Sequence, residues 1–127
     1  MAKLTDKQAK LLTDPNLAVV ATIRPDGTPQ LTPTWVDYDG ENVLFNTAEG
    51  RAKPANLRRD PRVSLFVLDP NDPYNWVSIT GPAELSEEGA GEHINKLSHK
   101  YNGTDYEDKS GRLIVRIKPE RVNSPGY

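Results

Sequence analysis

Residues 19–67 read VVATIRPDGTPQLTPTWVDYDGENVLFNTAEGRAKPANLRRDPRVSLFV, a series of short apolar runs cut by turn chemistry with one cation-rich polar stretch among them. The run from Leu17 to Ile23 is nearly unbroken, rich in β-branched residues and too short for a globular helix, which predicts a buried strand. Pro25-Asp26-Gly27 closes it, since proline presets one turn dihedral and glycine accepts the positive φ that follows. Pro29 to Tyr38 alternates only in part and contains Pro33, whose missing N–H confines it to an edge or bulged position. Asp39-Gly40 marks a tight hairpin, after which Val43-Leu44-Phe45 opens another strand, and Val63 to Leu68 reads as one more buried strand.

Working outward, Leu4 to Asp14 carries apolar residues among lysines, with Thr5 three residues before Gln8 as a capping box, so a short amphipathic helix is expected up to Asp14-Pro15. Arg51 to Asp60 suits a short helix with Pro54 in its first turn, where the absent N–H costs little. Asp69-Pro70-Asn71-Asp72-Pro73 separates the strand ending at Leu68 from a strand over Trp76 to Leu85, in which Gly81-Pro82 is expected to form a bulge. Glu87 to Tyr101 places Ile94, Leu97 and Tyr101 at helical spacing, and Leu113 to Ile117 supplies a last strand. The expectation is one mainly β domain over residues 1–127, with six short strands in an antiparallel sheet that curls into a barrel and a few helices outside it. No internal repeat or low-complexity segment interrupts it.

A chain of 127 residues is long enough for one hydrophobic core. Its net charge of −2, with both signs mixed along the sequence, gives no global field to hold nucleic acid or an acidic membrane, so any anion must be bound locally. No apolar stretch reaches the roughly 18–20 residues of a membrane span, and MAKLTDKQAK lacks the apolar core of a signal peptide, so a cytosolic protein is expected. The absence of cysteine removes disulfides, thiol nucleophiles and thiolate metal sites. His93 and His99 fall about 120° apart around their helix, which does not suit a shared metal. Dinucleotide, P-loop, nucleophile-elbow and zinc-protease motifs are all missing. Acidic pairs such as Glu87-Glu88 and Glu107-Asp108 read as solvated faces, and no catalytic side chain is assigned.

The densest local positive charge is Arg51 and Lys53, at the start of the short helix where free N–H groups and the positive dipole end also point. Asn46 and Thr47, at the end of the preceding strand, add hydrogen-bonding groups to the same region. Arg58 and Arg59 sit at the far end, where cations merely complement the dipole.

The order and spacing of these pieces across residues 19–67 resemble the flavin- and deazaflavin-binding split β-barrels of the pyridoxamine 5'-phosphate oxidase-like superfamily, also called FMN-binding split barrels. The RAKPANLRRDPR stretch, residues 51–62, is similar to the branch that uses the deazaflavin coenzyme F420. The resemblance implies a six-stranded antiparallel split β-barrel that transfers a hydride from reduced F420 to a small, electron-poor conjugated acceptor. It implies that Arg51 and Lys53 grip the cofactor's phosphate or anionic tail, that Ala52 contributes through its backbone, and that Asn46 and Thr47 bond the ribityl chain or phosphate. Thr32, Pro33 and Thr34 would run beside the tricyclic ring, and Trp76 would lie near the cleft of its own or of the partner subunit, its plain alternative being an ordinary core aromatic. A homodimer with the cofactor between subunits follows from the same resemblance. The longer C-terminal elements of true pyridoxamine phosphate oxidases are missing, which argues against vitamin oxidation. FMN in place of F420, or a carrier that binds such a cofactor without turnover, are the alternatives; a nucleic-acid-binding barrel fits the acidic balance least. Whether Pro125-Gly126-Tyr127 closes over the ring is left open by the sequence.

Overall fold

The computed structural model describes residues 2–125, so Gly126 and Tyr127 of the C-terminal question lie outside the described residues. In chain order the elements are α1 (Asp6–Thr13), β1 (Ala18–Ile23), β2 (Pro29–Thr34), β3 (Val36–Tyr38), β4 (Val43–Ala48), α2 (Ala52–Arg59), β5 (Arg62–Asp69), β6 (Asp72–Ser86), α3 (Ala90–Asn102), β7 (Arg112–Ile117) and β8 (Arg121–Asn123). Every strand pair is antiparallel. The capping box forms as expected: the Thr5 hydroxyl accepts from the Gln8 N–H while the Gln8 side chain accepts from the Thr5 N–H.

The strand order is β2-β1-β5-β6-β7-β4-β3, with β8 attached to β6. The edge strands β2 and β3 are consecutive in sequence and joined by Trp35 alone. A sheet whose two edges are one residue apart along the chain must curl until they meet, and a split β-barrel results. β6 is the corner: Asp72 to Pro82 pair with β5, while Ala83 to Ser86 pair with β7. Inside the curl lie Val20, Val36, Val43, Phe45, Leu65, Val67, Ile79, Val115 and Ile117, all essentially inaccessible, and Leu12 of α1 plugs one end. Burying each such side chain stabilises by about 1.5–3 kcal/mol, which is what holds a strongly bent sheet closed.

Three expectations are corrected. Eight strands form rather than six, because Pro29–Tyr38 breaks at Trp35 into β2 and β3 and because Arg121–Asn123 adds a strand. The register runs unbroken through Gly81-Pro82, and the irregularity falls at Leu68/Asp69 instead. Glycine stands at position 81 because an added Cβ would lie 1.8 Å from the Lys118 carbonyl oxygen, so it marks a close backbone approach where the strand changes partners. Finally, β6 starts at Asp72, the expected five-residue break having shortened to a turn at residues 70–71. Pro33 is on an edge strand, as its missing donor requires.

Candidate functional site

At the seam where the two sheet edges meet, a cleft of about 330 Å³ opens, lined in part by Pro33, Thr34, Trp35, Asn46, Arg51 and Arg112. That volume is at the lower end of the range for small-molecule pockets, roughly 300–1,000 Å³. Trp35, the single residue between β2 and β3, is stacked on Tyr101 of α3 with ring centroids 5.5 Å apart and meets the edge of Tyr106 at 6.2 Å. The Tyr101 hydroxyl donates to the Asn16 carbonyl at 2.6 Å and accepts from the Val36 N–H at 3.1 Å, which fixes this aromatic wall to the barrel. Leu17, Ile94 and Leu97 complete the apolar lining.

Of the residues singled out from the sequence, Pro33, Thr34, Asn46 and Arg51 line this cleft. Arg51 is the N-cap of α2 and its side chain makes no cap hydrogen bond. Lys53 is two residues further in and partly buried, and burial together with the like charge of Arg51 pushes its ammonium pKa down. Among the described residues neither cation has an ion-pair partner, because Glu49, the nearest acid in sequence, is committed to Arg58 at 2.7 and 2.8 Å. Arg59 bonds the Ile23 carbonyl and the Asn56 side chain. The two distal arginines therefore serve the fold, as their helix position suggested.

The hydroxyls of Thr32 and Thr47 are buried with no hydrogen-bond partner, and burying such a group unpaired costs about 1–3 kcal/mol. Neither threonine lines the cleft: register with Val20 and alternation with Phe45 turn both toward the barrel interior, so the groups that suit an anionic ligand there are the cations Arg51 and Arg112. Asn46 has partners within the protein: its oxygen accepts from Arg112 Nε at 2.8 Å, and its amide nitrogen donates to the Ala90 carbonyl at 3.0 Å and faces His93 Nδ1 at 3.1 Å. Both amide hydrogens are thus engaged inside the protein, while the oxygen keeps one lone pair. Ala52 is exposed at the first position of α2 and contributes no cleft wall. Trp76 sits on β6, paired with Leu68 and packed on Phe66 at 5.7 Å, and is not among the residues lining this chain's cleft.

The sequence reading missed Trp35, Tyr106 and Arg112. Tyr106 and Arg112 are more than fifty residues from Arg51 along the chain and enter the cleft only because β7 pairs with β4, bringing Arg112 opposite Ala48. His93 is buried, its Nε2 has no partner, and desolvation depresses its pKa to about 4. His99 is held by Asp105 at 2.6 Å, well separated in role from His93. No cluster of three or more metal-binding side chains occurs among the described residues.

Comparison with known proteins agrees with this architecture. The family model described as pyridoxamine 5'-phosphate oxidase matches residues 4–124. A solved structure described as an F420 reductase superposes with a TM-score of 0.86 at 31% identity, covering 94% of this chain and 98% of that one. The F420H(2)-dependent biliverdin reductase of Mycobacterium tuberculosis (strain CDC 1551 / Oshkosh) is 23% identical over 122 residues, 94% of this chain and 87% of that protein. The pyridoxine/pyridoxamine 5'-phosphate oxidase of Aeromonas hydrophila is 44% identical over 56 residues, but these are 43% of this chain and only 26% of that enzyme's length. With its edge strands joined through Trp35 and its family match running almost end to end, the chain belongs to the pyridoxamine 5'-phosphate oxidase family of split β-barrels.

Proposed function

We propose that this protein is a homodimeric F420-dependent oxidoreductase that reduces a small, electron-poor conjugated molecule. The observation that carries the reading is an aromatic-walled cleft in which Arg51 and Arg112 meet no lining carboxylate, with Lys53, two residues after Arg51, also without an ion-pair partner among the described residues. Two relatives whose names include F420 support the choice of cofactor. When bound, F420 supplies the hydride chemistry. Arg51 and Lys53 hold its anionic part, and the Pro33-Thr34 edge aligns the ring. Leu17, Ile94 and Leu97 exclude water, which strengthens every charge interaction inside. Fixing the two reactants face to face is the protein's main contribution to rate.

The homodimer is supported by a second feature. Leu17, Val19, Leu31, Phe66 and Leu68 are exposed, and the pairings of Val19 with Phe66 and of Leu68 with Trp76 place an apolar patch on the outer face of the β1, β5 and β6 region. The patch borders the cleft through Leu17, so a second copy seated there would complete the cofactor's enclosure. Analytical ultracentrifugation is expected to give a dimer, and Phe66→Glu a folded monomer. A monomeric wild type at micromolar concentration removes the dimer from the proposal. No helix among the described residues is long and apolar enough to cross a membrane, and action in the cytosol belongs to the same proposal.

The test is titration with F420, FMN and single-stranded DNA, following ligand fluorescence, then addition of a quinone panel to the reduced complex. Tight F420 binding with oxidation of the reduced form on adding an acceptor is expected. Preference for FMN shifts the assignment to a flavoenzyme, binding without turnover across the panel makes the protein a carrier, and no binding refutes both. Lys53→Ala is expected to weaken F420 binding by about 1–3 kcal/mol, the loss of a charge-assisted hydrogen bond. Unchanged affinity in the folded variant takes Lys53 out of the site.

A further inference from the structure

Arg112 opens β7 opposite Ala48, beside the loop that carries Arg51, and is only 7% exposed although it lines the cleft. Its Nε donates to Asn46 Oδ1 at 2.8 Å, and the centre of its guanidinium lies 5.2 Å from the Tyr106 ring. Among the described residues no carboxylate forms an ion pair with it. Asp108, whose charge acts on it, is turned into its own loop and bonds the Ser110 N–H and hydroxyl. Arg51, the other cation lining the cleft, adds a like charge.

The orientation of Asn46 follows from its neighbours. An arginine Nε only donates and a backbone carbonyl only accepts, so the amide oxygen must face Arg112 and the amide nitrogen must face Ala90. His93 Nδ1 is then obliged to accept, which leaves the ring neutral with its proton on Nε2. The sequence Ala90 and His93 to Asn46 to Arg112 is therefore a one-directional brace that sets the plane of the guanidinium. A cation buried without a counter-ion is expensive, and a folded protein keeps one most readily where an incoming anion compensates it. Exposed Arg58 and Arg62 end on acids and Arg59 on a backbone carbonyl and Asn56, whereas the buried guanidinium of Arg112 faces a cleft.

We propose that Arg112 is an anchor for an oxyanion, a phosphate ester or a carboxylate, of the ligand in this cleft, and that Asn46 is a positioning residue that holds it with neutral His93 behind. This anchor rests on the function proposed above, since the ligand is either the cofactor or the acceptor of that reading. One of the two then presents an oxyanion next to the aromatic wall formed by Trp35 and Tyr106.

The experiment compares wild type, Arg112→Gln, Arg112→Lys and Asn46→Ala. Each is titrated with F420, FMN and riboflavin, which lacks the phosphate, and assayed with a carboxylate-bearing quinone and its methyl ester. In Arg112→Gln, F420 and FMN affinities are expected to fall by about tenfold or more with riboflavin unchanged if the oxyanion belongs to the cofactor. If it belongs to the acceptor, cofactor affinity stays and KM rises for the acid but not for the ester. Asn46→Ala, with Arg112 intact, is expected to erode the same discrimination, whereas damage to the fold alone would weaken charged and uncharged ligands alike. Arg112→Lys is expected to restore part of it, and together with Asn46→Ala it carries the test if Arg112→Gln does not fold. A folded Arg112→Gln protein that keeps both ratios overturns the anchor and leaves the proposed function standing. If wild type binds no tricyclic ligand, that function fails separately, and Arg112 is decided by calorimetry with inorganic phosphate. Saturable binding lost in Arg112→Gln supports the anchor, and no binding to wild type overturns it.

Discussion

Gly81→Ala is expected to cost about 4 kcal/mol or more, enough to leave much of the protein unfolded at room temperature. The new methyl would lie 1.8 Å from the Lys118 carbonyl oxygen and 2.9 Å from its carbon, both of them main-chain atoms. Neither partner has room to withdraw. On one side of Gly81 the Glu120 N–H donates to the Thr80 carbonyl at 3.0 Å, and on the other the Lys118 N–H donates to the Pro82 carbonyl at 3.0 Å. Relief of the clash must break this clamp at the corner where β6 exchanges β5 for β7. Overpacking that moves main chain exceeds the usual cost of an extra methylene in a core, about 1–3 kcal/mol. Gly91→Ala is the control, since its Cβ would make an ordinary 3.5 Å contact with Lys109 in the first turn of α3, and a change within about 0.5 kcal/mol is expected. Urea unfolding followed by circular dichroism reads both. A Gly81→Ala protein within about 1 kcal/mol of wild type would show that the corner is not closed by this contact.

Acidification from pH 7 to pH 4 is expected to remove on the order of 3 kcal/mol through His93 alone. The ring is buried, and desolvation dominates over the opposing field of Asp37, with Lys96 and Arg116 adding to the depression, so its pKa falls from 6.5 to about 4. In the unfolded chain the same histidine takes a proton near pH 6.5, so between these values the unfolded state binds more protons and stability declines as pH falls. The contribution is complete above about pH 6.5 and gone below about pH 4. Protonation would also turn Nδ1 into a donor facing the donating nitrogen of Asn46, which breaks the brace on Arg112. At Asp37 burial raises the carboxyl pKa, but the bonds from Lys96 and the Tyr38 N–H outweigh it and hold the group below its ordinary value, so its contribution is lost only at lower pH. The two are separable by urea midpoints taken from pH 7 to pH 4.5. His93→Gln, which keeps an acceptor for Asn46 without a titrating ring, is expected to flatten the curve in that window. An unchanged slope in this variant would assign the acid sensitivity elsewhere.

The helix of residues 6–13, the turn at Pro25-Asp26-Gly27 and the edge position of Pro33 were legible because each rests on contacts within a few residues. Thr5 caps Gln8, Gly27 donates to Arg24 three residues back, and a missing N–H is a property of proline wherever it stands. Arg51 and Lys53 were legible for the same reason, being cations at a local helix start. What escaped was the break at Trp35. Nothing in PTWVDY announces that Thr34 and Val36 belong to opposite edges of one sheet, since the bend is imposed by the pairings of β2 with β1 and of β3 with β4. Arg112 escaped likewise, its place opposite Ala48 being set by a ladder between segments some sixty residues apart. Asn46 was named from the sequence, but its partners His93, Ala90 and Arg112 come from two later elements, so its bracing contacts could not be read there.

By itself the chain's order of residues determined a mainly β domain without thiols, the helix that opens on Arg51 and Lys53, and, by resemblance, the family. Those are matters of composition and of interactions between neighbours, which short-range sterics and hydrogen bonding decide. Only the closed barrel decided where the cleft lies, which aromatic rings wall it and which cations are left without counter-ions. Burial and pairing depend on which distant strands lie side by side, and that is settled by how the whole sheet curls to enclose its apolar side chains.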